Sequence, residues 1–300
     1  MRILVAGRSG QAGTCLAERA GSAPDLEIVV AGRPELDIEQ GGTLARIVAA
    51  AKPDVVVNAA AYTAVDKAET DEDRAFAVNA TGAGNLAKAA AAVGAPIIHL
   101  STDYVFDGRK PEPYVETDPT NPQGAYGRSK LAGESAVAGA HPRHVILRTA
   151  WLYSPFGANF VKTMLRLAET RDEIRVVDDQ RGNPTYVPDL AGAIIAIARR
   201  LAATPQAPDL CGLFNLAAPE TASWCGFAGE IMTASQAAGG RAARIVPIPT
   251  SQYPTPAKRP ANSRLDCRKI EAVYGITLPK RAASLVDCIR RLREEAVGRG

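Results

Sequence analysis

Arg2-Ile3-Leu4-Val5-Ala6 is an apolar run that begins almost at the first residue and feeds directly into Gly7-Arg8-Ser9-Gly10-Gln11-Ala12-Gly13. The order is strand, tight turn, helix. Gly7 permits the turn, Gly10 lets the backbone approach a pyrophosphate, and Gly13 allows the following helix to pack closely. The N-terminal amides and dipole of that helix attract anions. The segment predicts a nucleotide-binding β-α unit whose phosphate loop includes Gly7, Gly10, Gln11, Ala12 and Gly13.

The pattern continues along the chain. Strand-like runs at Arg2 to Ala6, Glu27 to Ala31, Asp54 to Ala59, Pro96 to Ser101 and His144 to Thr149 alternate with helical runs. The helices fit at Gln11 to Ala20, Thr43 to Ala51, Arg74 to Val93 and Tyr126 to Ala138. Such alternation predicts an α/β fold, a doubly wound parallel sheet of Rossmann type covered on both faces. Ligands of open α/β sheets sit at the carboxyl ends of the strands, so the small and polar residues ending these runs mark one functional edge. After about Ala150 loops lengthen and Pro and Gly become frequent, with helices expected at Asn159 to Glu169, Asp189 to Leu201, Ser223 to Ala237 and Ser284 to Ala296. We expect residues 1–150 to be the NAD(P)-binding domain, with a returning segment near 178–205. Residues 151–177 and 206–300 would mainly form a smaller α/β substrate-binding lobe.

Tyr126-Gly127-Arg128-Ser129-Lys130 supplies the chemistry. Positions four apart share one helix face, so the Lys130 ammonium can lie beside the Tyr126 phenol and draw its pKa toward neutrality. A phenol so placed is a proton donor, and Thr102 would offer a second hydroxyl. The 300 residues are 46% hydrophobic and 22% charged, with net charge +3, which excludes an argument for nucleic acid or a membrane surface. Five scattered Cys suit a reducing compartment, and the three His form no ligand cluster. His99, inside Ile97-Ile98-His99-Leu100, reads as a satisfied core histidine. With no signal peptide and no membrane-length apolar stretch, the expected location is the cytoplasm.

Five motifs in order carry a resemblance: Asn58 to Glu69, Ser101 to Gly108, Tyr126-x-x-x-Lys130, Asp178-Asp179-Gln180-x-Gly182-x-Pro184-Thr185, and Lys258-Arg259-Pro260-x-Asn262-Ser263. Together they resemble the dTDP-4-dehydrorhamnose reductase family of extended short-chain dehydrogenases/reductases, from Gly7 to about Asp266. The resemblance implies reduction of the 4-keto group of dTDP-4-dehydro-6-deoxy-L-mannose to dTDP-L-rhamnose by a nicotinamide cofactor. It assigns catalysis to Thr102, Tyr126 and Lys130, with Lys130 also holding the nicotinamide ribose. Asp37 and Ile38 match its adenine-side pair, Ala59, Ala60 and Ala61 its cofactor-facing small residues, and Asn79 a helix asparagine that supports the neighbouring strand. Asp103, Tyr104 and Trp151 fall on the substrate side. Asn159, Gln180, Pro184, Thr185 and Arg259 match its nucleotide end.

Residues outside the shared pattern add expectations of their own. Ala31-Gly32-Arg33 ends the second strand without a carboxylate for a ribose 2′-hydroxyl, so Arg33, with Arg8, could pair a 2′-phosphate and favour NADPH over NADH. Some members are bridged into dimers by magnesium held on acidic residues; here those places carry Thr14-Cys15 and Pro188, leaving Asp189 alone. A hard cation wants several oxygens, so we expect no magnesium and a monomer or a different homodimer. Leu278-Pro279-Lys280-Arg281 lacks the family's usual acidic and aromatic residues. Two alternatives stay open: another nucleotide-sugar 4-ketoreductase of 6-deoxysugar biosynthesis, and a dinucleotide-binding regulatory subunit without catalysis.

Overall fold

The computed structural model describes residues 1–20 and 24–297. The first half runs β1 (Arg2–Ala6), α1 (Gln11–Ala20), β2 (Glu27–Ala31), α2 (Gly41–Ala51), β3 (Val55–Asn58), then short helices α3 (Val65–Ala68) and α4 (Glu72–Phe76). A π-helical turn, Ala77–Gly82, leads into α5 (Ala83–Ala92), β4 (Ile97–Thr102), a 3₁₀ turn at Asp103–Val105, α6 (Ala125–Ala140) and β5 (His144–Thr149). The second half runs β6 (Leu152–Tyr153), α7 (Phe160–Ala168), β7 (Glu173–Val177), β8 (Arg181–Gly182), β9 (Thr185–Tyr186) and α8 (Val187–Ala203). It ends with β10 (Gly212–Asn215), β11 (Ala222–Ser223), α9 (Trp224–Ala237), β12 (Arg244–Ile248), α10 (Arg268–Tyr274) and α11 (Arg281–Val297).

Among the described residues, six strands form one parallel sheet in the order β2-β1-β3-β4-β5-β10. The apolar runs make these strands because a parallel sheet is buried on both faces, and every residue of β3 is buried accordingly. One face packs Ile3, Val5, Val57 and Leu147 against α1 and α8. The other packs Leu4, Val56 and Ile97 against Leu44, Leu86 and Val137 of α2, α5 and α6. The chain reverses its direction of winding at β1, so the carboxyl ends of β1 and β3 open onto a crevice.

A second core, including Tyr153, Val161, Ile174, Tyr186, Phe227, Ile231 and Leu285, organises the smaller lobe around α7, α9, α11 and the parallel pair β7–β12. Leu210, Phe214, Ile270 and Tyr274 lie instead in the core of the large sheet. They belong to the stretch the sequence reading left with the smaller lobe. Their sequence offers only a four-residue strand and a seven-residue helix, too short for periodicity to assign. No described helix is long and apolar enough to cross a membrane.

Candidate active site

A cavity of about 680 Å³ lies along the carboxyl ends of β1, β3 and β4. Its first wall is backbone and small side chains: Gly7 to Ala12, Gly32, Arg33, Asp37, Ile38 and Ala59 to Ala61. Gly7 has φ +121°, and a Cβ there would fall 2.7 Å from the Ala59 carbonyl carbon, so the turn can be made only by glycine. Gly13 is not part of this wall. A Cβ on Gly13 would fall 2.1 Å from the Gly7 carbonyl oxygen, so its lack of a side chain lets α1 pack under the turn. Arg8 donates to the Arg33 carbonyl (2.9 Å) and pairs with Glu35 (3.0 Å). Arg33 is exposed on the wall and makes no ion pair among the described residues.

Thr102, Asp103, Tyr104, Tyr126, Lys130 and Trp151 line the opposite end. The Thr102 hydroxyl caps the turn after β4, accepting from the Tyr104 amide (3.2 Å) and donating to Asp103 Oδ1 (3.1 Å). It also neighbours the Tyr126 phenol, the first residue but one of α6. Gly124 and Gly127 let this helix end approach its neighbours: Ala125 donates its amide to Glu69 Oε1 (2.8 Å), and a Cβ on Gly127 would fall 2.3 Å from the Tyr104 carbonyl oxygen.

The electrostatics differ from the sequence expectation. Desolvation pushes the Tyr126 phenol up to about 12, against a lowering hydrogen bond with Thr102, and Lys130 is not among the groups that lower it. The Lys130 ammonium donates instead to the Leu100 carbonyl (2.6 Å), while burial brings its own pKa down to about 8 and Glu134 opposes that shift. Tyr126 is therefore a protonated phenol at neutral pH. Asp103, 2% exposed, is pushed up to about 7 by burial, with the Ser263 and Thr102 hydroxyls opposing.

Asn79 also has a different duty from the expected one. Within the π-helical turn its side chain accepts from the Tyr62 amide (2.8 Å) and donates to the Tyr62 carbonyl (3.1 Å) and Ser129 Oγ (2.9 Å). It pins the loop that follows Ala59 to Ala61 onto α6, joining the two walls. A π turn commonly appears where a helix must present a functional group.

Trp151 sits at φ +48°, a left-handed conformation that costs a bulky residue energy and that its packing must hold. Its indole stacks on Trp224, ring centroids 3.5 Å apart and 2° from parallel. Trp224 lines the cavity too and was missed on sequence grounds. Its only signal was Ser223, which accepts from the Gly226 amide and so places Trp224 as the first residue of α9.

Five expected nucleotide-end residues do not line this cavity. Asn159 caps α7 and donates to Gln11 Oε1 (3.2 Å) and the Ser154 carbonyl (2.8 Å), which places it beside the phosphate loop. Gln180 is buried and donates to Thr250 Oγ1 (3.0 Å). Pro184 is buried, and the fully buried Thr185 hydroxyl donates to the Asn183 carbonyl (2.9 Å) and accepts from the Ala218 amide (3.1 Å). Arg259 pairs with Asp66 Oδ2 (2.8 Å) and lies in the field of Tyr104. Motif matching places a residue in a segment, whereas the bonds to Gln11, Thr250, Ala218 and Asp66 are long-range and invisible in the segment.

The cavity suits a dinucleotide: a glycine turn opens onto the N-terminus of α1, small residues cover the sheet edge, and the hydroxyl and ammonium groups lie at the far end. The family model described as the RmlD substrate binding domain matches residues 1–294. A dTDP-4-dehydrorhamnose reductase of Sinorhizobium fredii is 52% identical over 279 residues, covering 93% of each chain. Among solved structures, a dTDP-4-dehydrorhamnose reductase from Clostridium acetobutylicum superposes with TM-score 0.90 at 39% identity, covering 98% of this chain and 100% of that one. One from Bacillus anthracis, in complex with NADP, superposes with TM-score 0.86 at 34% identity over 98% and 99% of the two chains. With the fold, the cavity and these similarities in agreement over nearly its whole length, the chain belongs to the dTDP-4-dehydrorhamnose reductase family.

Proposed function

We propose that this chain reduces the 4-keto group of dTDP-4-dehydro-6-deoxy-L-mannose to give dTDP-L-rhamnose, using NADPH in preference to NADH. The observation that carries the reading is the meeting of the Tyr126 phenol and the Thr102 hydroxyl at one end of a cavity whose other end is a glycine-walled groove. When bound, the nicotinamide supplies the hydride. Negative charge then develops on the sugar oxygen, and hydroxyl donors aimed at that oxygen lower the barrier; Tyr126 is one, and Thr102 becomes the second by turning its proton from Asp103 Oδ1 to the sugar. Tyr126 gives up its proton to the oxygen, and Lys130, anchored on the Leu100 carbonyl, would hold the nicotinamide ribose. A phenol that stays protonated to about 12 is ready for this reducing direction.

Gly7, Gly10, Gln11 and Ala12 would hold the diphosphate of the cofactor, and Asp37 and Ile38 its adenine side. Arg33 would meet the 2′-phosphate that distinguishes NADPH, since its guanidinium has no other ion-pair partner among the described residues. Trp151, stacked on Trp224, would face the deoxysugar ring, with Tyr104 and Asp103 beside it. For Arg259 to reach a substrate diphosphate, its pairing with Asp66 must be shared or exchanged. We propose assembly as a monomer or a homodimer without a magnesium bridge: Asp189 accepts from Ser284, and Thr14, Cys15 and Pro188 supply no further carboxylate. The cytoplasm is the proposed compartment, in keeping with five free cysteines.

The test is consumption of NADPH, and separately NADH, with enzymatically prepared dTDP-4-dehydro-6-deoxy-L-mannose, followed by NMR of the sugar. We expect dTDP-L-rhamnose and a lower Michaelis constant for NADPH. A different configuration at C4 would move the chain to another 6-deoxysugar. Tight NADPH binding without turnover would make it a regulatory subunit, and a lower constant for NADH would overturn the role of Arg33.

A further inference from the structure

Behind the reactive end lies a buried cluster of Ser101, Glu134 and Arg148. Lys130 and Glu134 are one turn apart on α6, and Glu134 continues the ladder Tyr126, Lys130, Glu134 along one helix face. The Glu134 carboxylate accepts from Ser101 Oγ (2.6 Å) on β4, and from Arg148 Nε (2.9 Å) and Nη2 (2.6 Å) on β5. Ser101 and Arg148 are direct partners in the β4–β5 register. The side chains of Arg148 and Glu134 are only 3% and 7% exposed, and the guanidinium lies 4.9 Å from the centre of the Phe106 ring.

This cluster straps α6 to successive residues of β4. Lys130 reaches the Leu100 carbonyl, Glu134 reaches the Ser101 hydroxyl, and Tyr126 adjoins Thr102. Sliding the helix along the strand would break all three contacts together. We propose that Glu134 is a positioning residue for the reduction: held by Ser101 and Arg148, it fixes the register of α6 on β4 and keeps a negative charge beneath the Lys130 ammonium. This inference rests on the reductase reading above.

The charges around Lys130 give the idea a direction. Lys130 is faced by Glu134 on its own helix and by His99 on β4, with Arg148 behind Glu134 and with Tyr126, one turn earlier on α6, set against Thr102 and Asp103. His99 is kept neutral by burial. Only one of its ring nitrogens is satisfied, by Asn58 at 3.0 Å; Nε2 has no partner among the described residues, so the expected core histidine is only half satisfied. Burial lowers the Lys130 pKa, and the Glu134 carboxylate opposes that shift. Without the carboxylate, the ammonium would lose its proton at a lower pH.

The experiment is a side-chain carbon NMR titration of lysine-labelled protein, with the Lys130 signal assigned by its loss in Lys130→Arg, in the wild type and in Glu134→Gln. We expect a wild-type midpoint near 8. In Glu134→Gln it should fall by about one pH unit, the size expected for losing a neighbouring opposite charge. The alkaline limb of the kcat profile should move the same way. Removing one partner of a buried pair can prevent folding. The double variant Glu134→Gln/Arg148→Met removes both charges, and its Lys130 midpoint should also lie below that of the wild type. A folded variant with the wild-type midpoint and pH profile would reduce the cluster to a structural ion pair and overturn the proposal. A wild type that turns over no sugar would instead sink the reductase reading, while the Lys130 midpoints would still decide the role of Glu134.

Discussion

The two ends of the cavity are built on opposite physical principles. The glycine end is shaped by what its residues lack: no Cβ at Gly7, methyl groups alone at Ala59 to Ala61, and a free helix N-terminus. The reactive end is built from groups that are costly to bury, among them Lys130 at 2% exposure, Asp103 at 2% and Thr102 at 5%, each tied to a partner. The first end can be damaged by adding an atom and the second by taking one away. Binding of a flexible cofactor needs shape and backbone donors, whereas proton transfer needs particular side chains held at particular distances.

The sharpest break is Tyr126→Phe, which removes one oxygen from the reactive end and nothing from the glycine end. Steady-state turnover should fall roughly 10²- to 10⁴-fold, while a fluorescence titration should find NADPH affinity nearly unchanged. Turnover at the wild-type rate would remove Tyr126 as proton donor. Next comes Asp103→Asn, which sharpens the electrostatic half of the comparison. The folded-state pKa of Asp103, about 7, lies above the 3.8 of an ordinary aspartate, so the folded protein binds this proton more tightly than the unfolded chain. Its stabilising contribution is complete below the unfolded value and is lost as pH rises through the folded one. Urea unfolding of the wild type relative to Asp103→Asn should therefore show stability declining between about pH 4 and pH 7, by at most about 4 kcal/mol. A flat difference across that window would refute the shift. The smallest effect belongs to Gly13→Ala. One methyl group against the Gly7 carbonyl should lower stability by about 1–3 kcal/mol and weaken NADPH binding, by displacing the turn. An unchanged melting temperature would mean that α1 can move aside without cost.

Much of the large sheet was legible in the chain. Strands β1, β2 and β5 have the expected ends, because each centres on three consecutive branched apolar residues, a short run with few other stable fates between turns. The run read as one helix from Arg74 to Val93 is instead an α, π, α succession. Its extra residue places Asn79 between Tyr62 and Ser129, partners that are 17 and 50 positions away. Strand β10 and helix α10 join the large sheet through contacts with β5 and the core, and nothing local announces that. Tyr126, Lys130 and Thr102 were legible because a helical spacing and a strand end are local facts. Trp224 was not, since its stacking on Trp151 depends on how the smaller lobe folds over the cavity.

By itself the sequence determined the strand–turn–helix start, the alternation that builds a parallel sheet, and the phenol and ammonium one helical turn apart. Each follows from periodicity or backbone freedom, which act over a few residues. Only the tertiary structure decided the charge state and partners of those groups. Lys130 turned to the Leu100 carbonyl, Arg259 paired with Asp66, and Glu134 came to rest under Arg148. Burial and long-range hydrogen bonds set these outcomes, and both depend on which distant segments the fold brings together.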